Sequence, residues 1–412
     1  MKPIKLFSNK KFLKLWASQL FSQFALNLVN FLLLVKLFTS TGSTVAVSFL
    51  WLAYAIPALL VGPFAAALVD QLSRKKILVI ANFLQAVTIL LYSFIETRLF
   101  LIYGVVFVYS FLNQFYVPAE AASLPRVVRK KYYAQANGVF LLTQQCALMV
   151  GFGLGGFINK TLGFEYSMYL ASSMLVMAFI ATTLLPELKD GKATNFETAV
   201  EGFFKKVVEG YKFIKDNKKV LYPFLLLVGF QIAVTVFSVN VPSLAVEVFK
   251  LNVNDASIIL VIPAAIGAIT SSFVVPRLLQ AGVRKRKVIE YALFIIFLGL
   301  LAVGYAVDPL PDNIKPLMLA AIALIGGIAF VGIVVPTQTF LQEVTPGGFR
   351  GRLFGNFWFI VTAATVAPII LSATVTEFLG VRILFTTMAL LALSVFVYSK
   401  SQGDRLMRIQ PK

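Results

Sequence analysis

Long apolar blocks separated by short polar stretches dominate this chain. A membrane-spanning helix needs about 20 mainly apolar residues, and blocks of this kind recur along most of the sequence. Because backbone polar groups inside a bilayer must be paired within the protein, we expect each block to be a helix. The pattern predicts twelve spans, near 13–38, 46–69, 77–95, 99–118, 136–158, 165–185, 220–246, 256–276, 287–307, 315–341, 351–376 and 380–399.

The basic residues indicate how these spans are oriented. All but six of the 37 lysines and arginines lie at the two ends of the chain or in every second connection between spans. The six exceptions are Lys36, Arg98, Lys160, Lys250, Lys315 and Arg382. Basic residues close to membrane spans are retained on the cytoplasmic side. We therefore expect a multi-pass protein of the cytoplasmic (inner) membrane with both termini in the cytoplasm.

Composition argues against several classes of function. Charged residues make up only 13% of the chain, against about 25% in soluble domains. The net charge of +19 is accounted for by the inner loops, so we expect no nucleic-acid partner. Histidine is absent and Cys146 is the single cysteine, which argues against a metal cluster and a nucleophile–His–acid set. We expect a monomer without cofactor or enzymatic activity, whose partners are the lipid bilayer and a small molecule.

A polar stretch separates the sixth and seventh spans. Its apolar residues recur on one helical face from Phe196 to Tyr211, which predicts an amphipathic helix. Such a helix lies either on the membrane surface or against the inner ends of the bundle, and both alternatives stay open. The predicted domains are an N-terminal six-helix bundle (1–185), a cytoplasmic linker with this helix (186–219) and a C-terminal six-helix bundle (220–412).

Similar stretches occupy the same position in each set of six spans. YVPAEAASLPRVVRKKYYAQANG begins at Tyr116 and VPTQTFLQEVTPGGFRGRLFGN begins at Val335, so that Pro118 corresponds to Pro336. Two units of six spans with the same orientation form a parallel repeat, an arrangement found in transporters.

Three local patterns resemble those of the major facilitator superfamily. The segment AALVDQLSRKK (66–76) resembles the motif G-x-L-x-D-R-x-G-R-R/K and retains Asp70, Arg74 and Lys75. The resemblance implies that these three residues act at an inner gate. Arg74 and Lys75 are also explained without a gate, because basic residues are expected in any connection on the cytoplasmic side. The two stretches that begin at Tyr116 and Val335 resemble the branch of macrolide-efflux proteins and the enterobactin exporter. The implied fold is all-α, with twelve transmembrane helices in two parallel-repeat six-helix bundles.

The third pattern is GFGLGG in the fifth span, which resembles the G-P-x-x-G-G element of exporters in this family. Gly151 and Gly155 also form a GxxxG pair, followed by Gly156. Small residues at this spacing allow close helix packing, and we favour that interpretation.

Neutral amides supply the candidate substrate site. The resemblance implies that spans one, four, seven and ten line a cavity near the middle of the bilayer. The first span carries an amide stripe on one helical face, made of Gln19, Gln23, Asn27 and Asn30. An amide that faces hydrocarbon without a partner costs a few kcal/mol, so this stripe must point inward, either to a cavity or to other helices. The candidate cavity residues are Gln23, Asn27, Asn30, Asn113, Gln114, Gln231 and Gln338. Such groups suit an uncharged or amphipathic ligand.

Acidic residues near the interior are scarce. A proton-coupled carrier uses a carboxyl group inside the membrane, and the nearest candidates are Asp70, Glu120 and Glu343. Each can equally be a gate residue or an ordinary acid at the end of a loop. The sequence predicts a secondary transporter that exports hydrophobic or amphipathic molecules by alternating access. Whether export is coupled to protons, as in an antiporter, is left open by the sequence. The alternatives are a lipid or lysolipid translocator and a non-transporting membrane sensor or assembly partner.

Overall fold

A computed structural model describes residues 6–69, 71–94, 98–187 and 196–406. Within these ranges the chain is almost entirely helical and no strand occurs. The helices are α1 (Lys10–Thr41), α2 (Thr44–Leu60), α3 (Gly62–Val69), α4 (Arg74–Phe94), α5 (Leu101–Val127), α6 (Tyr133–Thr183), α7 (Phe196–Asp216), α8 (Lys218–Ser243), α9 (Val253–Ala256), α10 (Ile262–Gln280), α11 (Lys285–Leu301), α12 (Lys315–Val344), α13 (Gly347–Leu379) and α14 (Val381–Leu406).

Among the described residues, ten helical stretches are long and apolar enough to cross a membrane. The pair α2 and α3, bent by 46° at a short break, passes as one further span. Helix α6 has 51 residues, which corresponds to about 76 Å of helix, against a hydrocarbon core of about 30 Å. Its backbone leaves the helical conformation at Gly163, so that its two parts serve as two spans. The structure thus accommodates the twelve spans expected from the sequence.

Glycine makes the turn between the last two spans of each six-span set. Gly163 has φ 78° and ψ 169°, and Gly380, which separates α13 from α14, has φ 89° and ψ 150°. This part of backbone space is accessible essentially to glycine alone. The two halves therefore share a turn conformation that the sequence comparison did not bring out.

Asn9 fixes the beginning of α1. Its side-chain oxygen accepts hydrogen bonds from the backbone N–H groups of Lys11 and Phe12, as expected of an N-cap residue. Its amide nitrogen donates to the carbonyl of Val127 at 2.6 Å. One side chain thus caps α1 and holds it to the end of α5.

Two compact units divide the structure. The first contains the described residues up to Gly42 together with Phe49–Phe204, and the second contains Ser43–Ser48 and the described residues from Lys205 onwards. The domain boundaries drawn from the sequence at 186 and 219 stay a prediction.

In the first unit, α1 packs along α6, and α4 packs against both α5 and α6. One core cluster there includes Phe12, Leu78, Tyr116 and Phe140, all buried. In the second unit, α12 packs against α10, α11 and α8. These contacts hold the polar side chains described below at fixed positions.

The α10–α12 contact depends on two glycines. A Cβ atom on Gly327 would lie 1.9 Å from the carbonyl oxygen of Ala264, and one on Gly267 would lie 2.0 Å from that of Leu324. The helices therefore meet backbone to backbone, at a separation that only glycine permits.

Asn240 links α8 to α13 in the second unit. Its amide nitrogen donates to Ser372 Oγ at 3.2 Å, and its oxygen accepts from Thr376 Oγ1 at 2.6 Å. All three side chains are buried. Since a buried amide is costly without partners, these hydrogen bonds fix the position of α8 along α13.

Candidate substrate and coupling sites

The amide stripe of α1 faces other helices of its own unit. Gln19 is buried, and its nitrogen donates to the carbonyl of Phe140 in α6 at 3.3 Å. Gln23 and Asn27 are partly exposed, and the Asn27 nitrogen donates to the carbonyl of Gln23 at 2.8 Å. The stripe therefore contains one residue whose side chain makes an interhelical bond, Gln19, and two residues that are partly exposed, Gln23 and Asn27.

Asn30 meets an aromatic group from α5. Its oxygen accepts a hydrogen bond from the hydroxyl of Tyr109, whose ring lies 6.2 Å from that of Tyr54 in α2. Ser110 donates to the backbone carbonyl of Tyr54 at 2.7 Å. These bonds bring α1, α2 and α5 together around two tyrosines.

The predicted residues Asn113 and Gln114 lie one turn further along α5. Asn113 is buried, whereas Gln114 is partly exposed and donates to the carbonyl of Ser110 at 3.1 Å. A Cβ on Gly62 would lie 3.4 Å from Gln114 Oε1, so this amide reaches the break between α2 and α3. The structure thus places Asn30, Asn113 and Gln114 in one region of the first unit.

Gly151 and Gly155 lie against α1. A Cβ on Gly151 would come within 2.5 Å of Asn27 Cβ, and one on Gly155 within 2.6 Å of the Phe31 ring. Gly156 is buried beside them. The spacing of the pair lets α6 approach α1 closely, at the level of the amide stripe.

Gln231 in α8 and Gln338 in α12 are the candidate residues of the second unit. Both are partly exposed. The alignment of Pro118 with Pro336 makes Gln338 the counterpart of Glu120. An amide therefore occupies in the second half the position that carries a carboxyl group in the first.

Two of the three predicted inner-gate residues, Arg74 and Lys75, lie at the start of α4. Asp70 falls outside the described residues. Arg74 is buried, and the Lys75 ammonium lies 3.8 Å from the carboxylate of Glu187. This pair borders a surface groove of about 320 Å³ that Val79 and Thr183 help to line.

Glu120 is a buried carboxyl group inside a helix. The sequence suggested an acid near the end of the fourth span, but α5 continues to Val127 and leaves Glu120 only 5% exposed. The hydroxyl of Tyr116 donates to Glu120 Oε1 at 3.0 Å. A buried polar side chain bonded within its helix differs from the solvated acid of a loop.

A chain of hydrogen bonds leads from Glu120 to two other helices. The Tyr116 oxygen lies 3.1 Å from Ser18 Oγ and 3.3 Å from Ser22 Oγ, both on α1. Ser18 Oγ in turn accepts from Asn82 Nδ2 of α4 at 3.1 Å. All these side chains are buried, so the cluster is a polar network enclosed by α1, α4 and α5.

The network retains unused hydrogen-bonding capacity. Within the described part of the chain, Gln19 Oε1 and Asn82 Oδ1 are buried without a hydrogen-bond partner. Buried polar atoms are normally paired, and an orphaned acceptor is a place where a water molecule or a proton donor is favoured. The sequence reasoning missed Tyr116, Ser18 and Asn82, and the signal available was the pair of serines spaced by one helical turn in α1.

Glu343 has a different environment. Its side chain is 42% exposed, and its carboxylate accepts from the ammonium of Lys285 at 2.5 Å. This pair joins the end of α12 to the start of α11. Of the two acids that the structure describes among the three candidates, only Glu120 is enclosed.

Among the described residues, no group of three or more His, Cys, Asp or Glu side chains could hold a metal ion. Cys146 is a free, exposed thiol.

Comparisons with known proteins agree with this architecture. A model of the Major Facilitator Superfamily matches residues 15–367. The uncharacterized MFS-type transporter YjbB of Bacillus subtilis is 32% identical over 200 residues, which cover 46% of this chain and about half (48%) of YjbB. The match to the uncharacterized MFS-type transporter YfiS of the same organism has 24% identity and covers 92% of this chain and 90% of YfiS.

Macrolide efflux protein A of Streptococcus pyogenes is 24% identical over 90% of this chain and 91% of its own length. Among solved structures, a variant of the nucleoside transporter NupG superposes with a TM-score of 0.73 at 16% identity, covering 95% of this chain and 99% of that one. At this identity the structural likeness concerns the fold alone. The relatives and the structural neighbours are transporters, not enzymes.

Proposed function

Because the chain belongs to the major facilitator superfamily and is a multi-pass membrane transporter of small molecules, we propose that it exports hydrophobic or amphipathic compounds by alternating access. The observation that carries this proposal is the set of neutral amides that stay partly exposed on apolar helices: Gln23, Asn27, Asn30 and Gln114 in the first unit, and Gln231 and Gln338 in the second. The similarity to a macrolide efflux protein favours export over uptake.

Uncharged polar groups set the class of compound. Amides both donate and accept hydrogen bonds, and the aromatic rings of Tyr54 and Tyr109 lie close to Asn30. Ligand sites for drug-like molecules combine mostly apolar walls with a few polar groups of this kind. A small multivalent anion would instead be bound by buried basic residues, and none of the proposed cavity residues is basic.

We place the protein in the cytoplasmic membrane with both termini on the inner side. The support is the distribution of basic residues, together with the retention of such residues in the cytoplasm. We further propose that one chain forms the transporter, because the parallel repeat supplies two six-helix sets within a single polypeptide.

Coupling to protons is assigned to Glu120 rather than to Glu343. Glu120 is buried and accepts a hydrogen bond from the Tyr116 hydroxyl. Glu343, in contrast, is exposed and forms an ion pair with Lys285. Asp70 keeps the gate role implied by its motif, with Arg74 and Lys75. A carboxyl group enclosed within a membrane domain marks a proton-transfer position in transporters.

The hydrogen-bond chain offers a route to this carboxyl group. Ser18 can donate its hydroxyl proton to the Tyr116 oxygen while Tyr116 passes its own proton to the Glu120 carboxylate. Ser18 then regains a proton from a hydronium ion, which is left as a neutral water molecule, so that both hydroxyl groups are neutral again and the net change is the uptake of one proton by Glu120. The reverse sequence releases the proton and restores the carboxylate.

Reconstituted vesicles test the proposed function. Purified protein in liposomes should move an amphipathic fluorescent dye, and Asn27→Leu should abolish that movement while the folded protein is retained. Thr88→Val is the matched control, since its hydroxyl bonds only to its own helix, at the carbonyl of Leu84. Movement of fluorescent lipid without dye flux would support a lipid translocator instead. Absence of flux under every gradient would overturn the transport proposal.

A further inference from the structure

Helix α7 uses only part of its apolar face for packing. Ile214 is 3% exposed and belongs to a core cluster with Val220 and Leu341. The Phe213 ring stacks on that of Phe349, with 4.3 Å between centroids. The end of α7 is therefore anchored to the second unit, as one of the two alternatives drawn from the sequence requires.

A second edge of the same helix is largely uncovered. Phe204, Val208 and Tyr211 are 44%, 64% and 59% exposed, and of these Phe204 has its ring edge-on to that of Phe64 in α3, with 6.5 Å between centroids. Their spacing of four and three residues places them in one stripe along the helix. The apolar face predicted from the sequence therefore has two parts: one edge packs against the core, and the other edge is exposed.

Lysines surround the exposed stripe. Lys205, Lys212 and Lys215 lie within about 60° of Val208 around the helix axis, at 100° per residue, and all three are exposed. Between Lys205 and Lys219 the sequence contains six lysines and two acids. The outward face combines an aromatic ring, an aliphatic side chain and a dense positive charge.

The stripe also lies near the point where the chain enters the bilayer. Helix α7 ends at Asp216, and α8, which is one of the membrane-spanning candidates, begins at Lys218. Tyr211 is thus at most about 10 Å along a helix from the start of a span, at 1.5 Å per residue. Helix α7 itself is absent from the candidate spans found among the described residues.

We propose that the segment Lys205–Lys219 is a binding surface for anionic lipid. Val208 and Tyr211 insert at the boundary between headgroups and acyl chains, and the flanking lysines bind phosphate groups of the lipids. An amphipathic helix binds the interface through its apolar area and through attraction to anionic headgroups, and each lysine near such a surface adds to that attraction. This lipid contact requires only that the chain lies in the membrane and does not depend on which solute is exported.

Site-specific fluorescence in full-length protein tests the lipid contact. In a Cys146→Ser background, one cysteine is placed at Val208 and labelled with an environment-sensitive dye. The control is Gly202→Cys on a different face of α7, where an added Cβ would meet no atom within 4 Å. In nanodiscs that contain phosphatidylglycerol, quenchers attached to lipids should quench the label at 208 and iodide should not. The label at 202 should show the opposite behaviour.

Charge neutralisation tests the preference for anionic lipid. Changing Lys205, Lys212 and Lys215 to Gln should reduce lipid quenching at 208 in anionic nanodiscs to the value found in phosphatidylcholine. The same change at Arg129, Lys130 and Lys131, exposed residues before α6, should leave it unaltered. Equal quenching by iodide at both labelled sites would overturn the proposal. So would protection of the label at 208 from both quenchers, because another protein surface would then cover it.

Discussion

The Tyr116 hydroxyl donates to the Glu120 carboxyl across one turn of α5, with 3.0 Å between Tyr116 Oη and Glu120 Oε1. The same hydroxyl is shared with two serines of α1. A single phenol oxygen thus connects the enclosed acid of α5 to a neighbouring helix. In the proposed mechanism this oxygen carries protons to and from Glu120.

Replacing Glu120 by Gln should uncouple transport from the proton gradient. The amide preserves the size and much of the hydrogen bonding of the carboxyl group, but it cannot take up and release a proton. Vesicles with the Glu120→Gln protein should equilibrate dye across the membrane and fail to concentrate it when a pH gradient is imposed. Glu343→Gln serves as the control and should still concentrate dye. Uphill transport by Glu120→Gln at the unaltered rate would show that Glu120 does not carry the proton.

Two substitutions at one contact should separate packing from ligand binding. Gly151→Val introduces atoms where a Cβ would already lie 2.5 Å from Asn27 Cβ, so α6 must move away from α1, at a cost of about 1–3 kcal/mol. Asn27→Leu keeps the Cβ in place and removes only the amide. Thermal unfolding of purified protein should show a lower transition temperature for Gly151→Val and little change for Asn27→Leu. A comparable loss of stability in both variants would mean that the Asn27 amide is structural.

Adjacent glycines of α12 should differ sharply in their tolerance of alanine. A Cβ on Gly327 would lie 1.9 Å from the carbonyl oxygen of Ala264, whereas a Cβ on Gly326 would meet nothing within 4 Å. Gly327→Ala should lower the free energy of unfolding by at least about 1–3 kcal/mol. Gly326→Ala should be neutral or stabilise by about 0.5–1 kcal/mol, because alanine is the better helix former. Equal behaviour of the two variants in chemical or thermal unfolding would argue against the close α10–α12 contact.

Asn240→Leu should weaken the link between α8 and α13. The substitution keeps a similar volume but removes the acceptor of the Thr376 hydroxyl and the amide that donates to Ser372, at an expected cost of about 1–3 kcal/mol; Ser372 keeps its bond to the Ile369 carbonyl. A triple variant that also carries Ser372→Ala and Thr376→Val should recover part of that loss, because it removes the Thr376 hydroxyl that has lost its acceptor. Unfolding measurements on both proteins check the result, and a triple variant less stable than Asn240→Leu would contradict it.

The length of the apolar blocks made most of the helices predictable. Apolar blocks of about 20 residues correspond to the spans, and the break expected between 159 and 165 occurs at Gly163. The ends of the helices were less predictable, because polar residues of membrane proteins can continue a helix beyond the apolar block. Helix α5 extends to Val127, and this extension turns Glu120 from a presumed end-of-span acid into an enclosed one.

Contacts between helices that are distant in the sequence were harder to predict than the periodicity within one helix. The spacing of Gly151 and Gly155 indicates a close approach, yet nothing local identifies α1 as the helix approached. Gly267 and Gly327 lie far apart in the sequence, and their reciprocal contacts arise only from the packing of α10 on α12. The Tyr116 network likewise combines residues from three helices. Its members are ordinary serine, tyrosine and asparagine residues when each segment is considered alone.

The turn at Gly163 also decides whether the chain crosses the membrane an even or an odd number of times. If a side chain at this position forced the backbone to stay helical, the fifth and sixth spans would merge into one rod and the number of crossings would become odd. With both termini proposed to be cytoplasmic, every later connection would then be required on the opposite face of the bilayer, and the lysine-rich loops of the second half would have to be translocated. A residue without a side chain thereby determines the sidedness of more than half of the polypeptide.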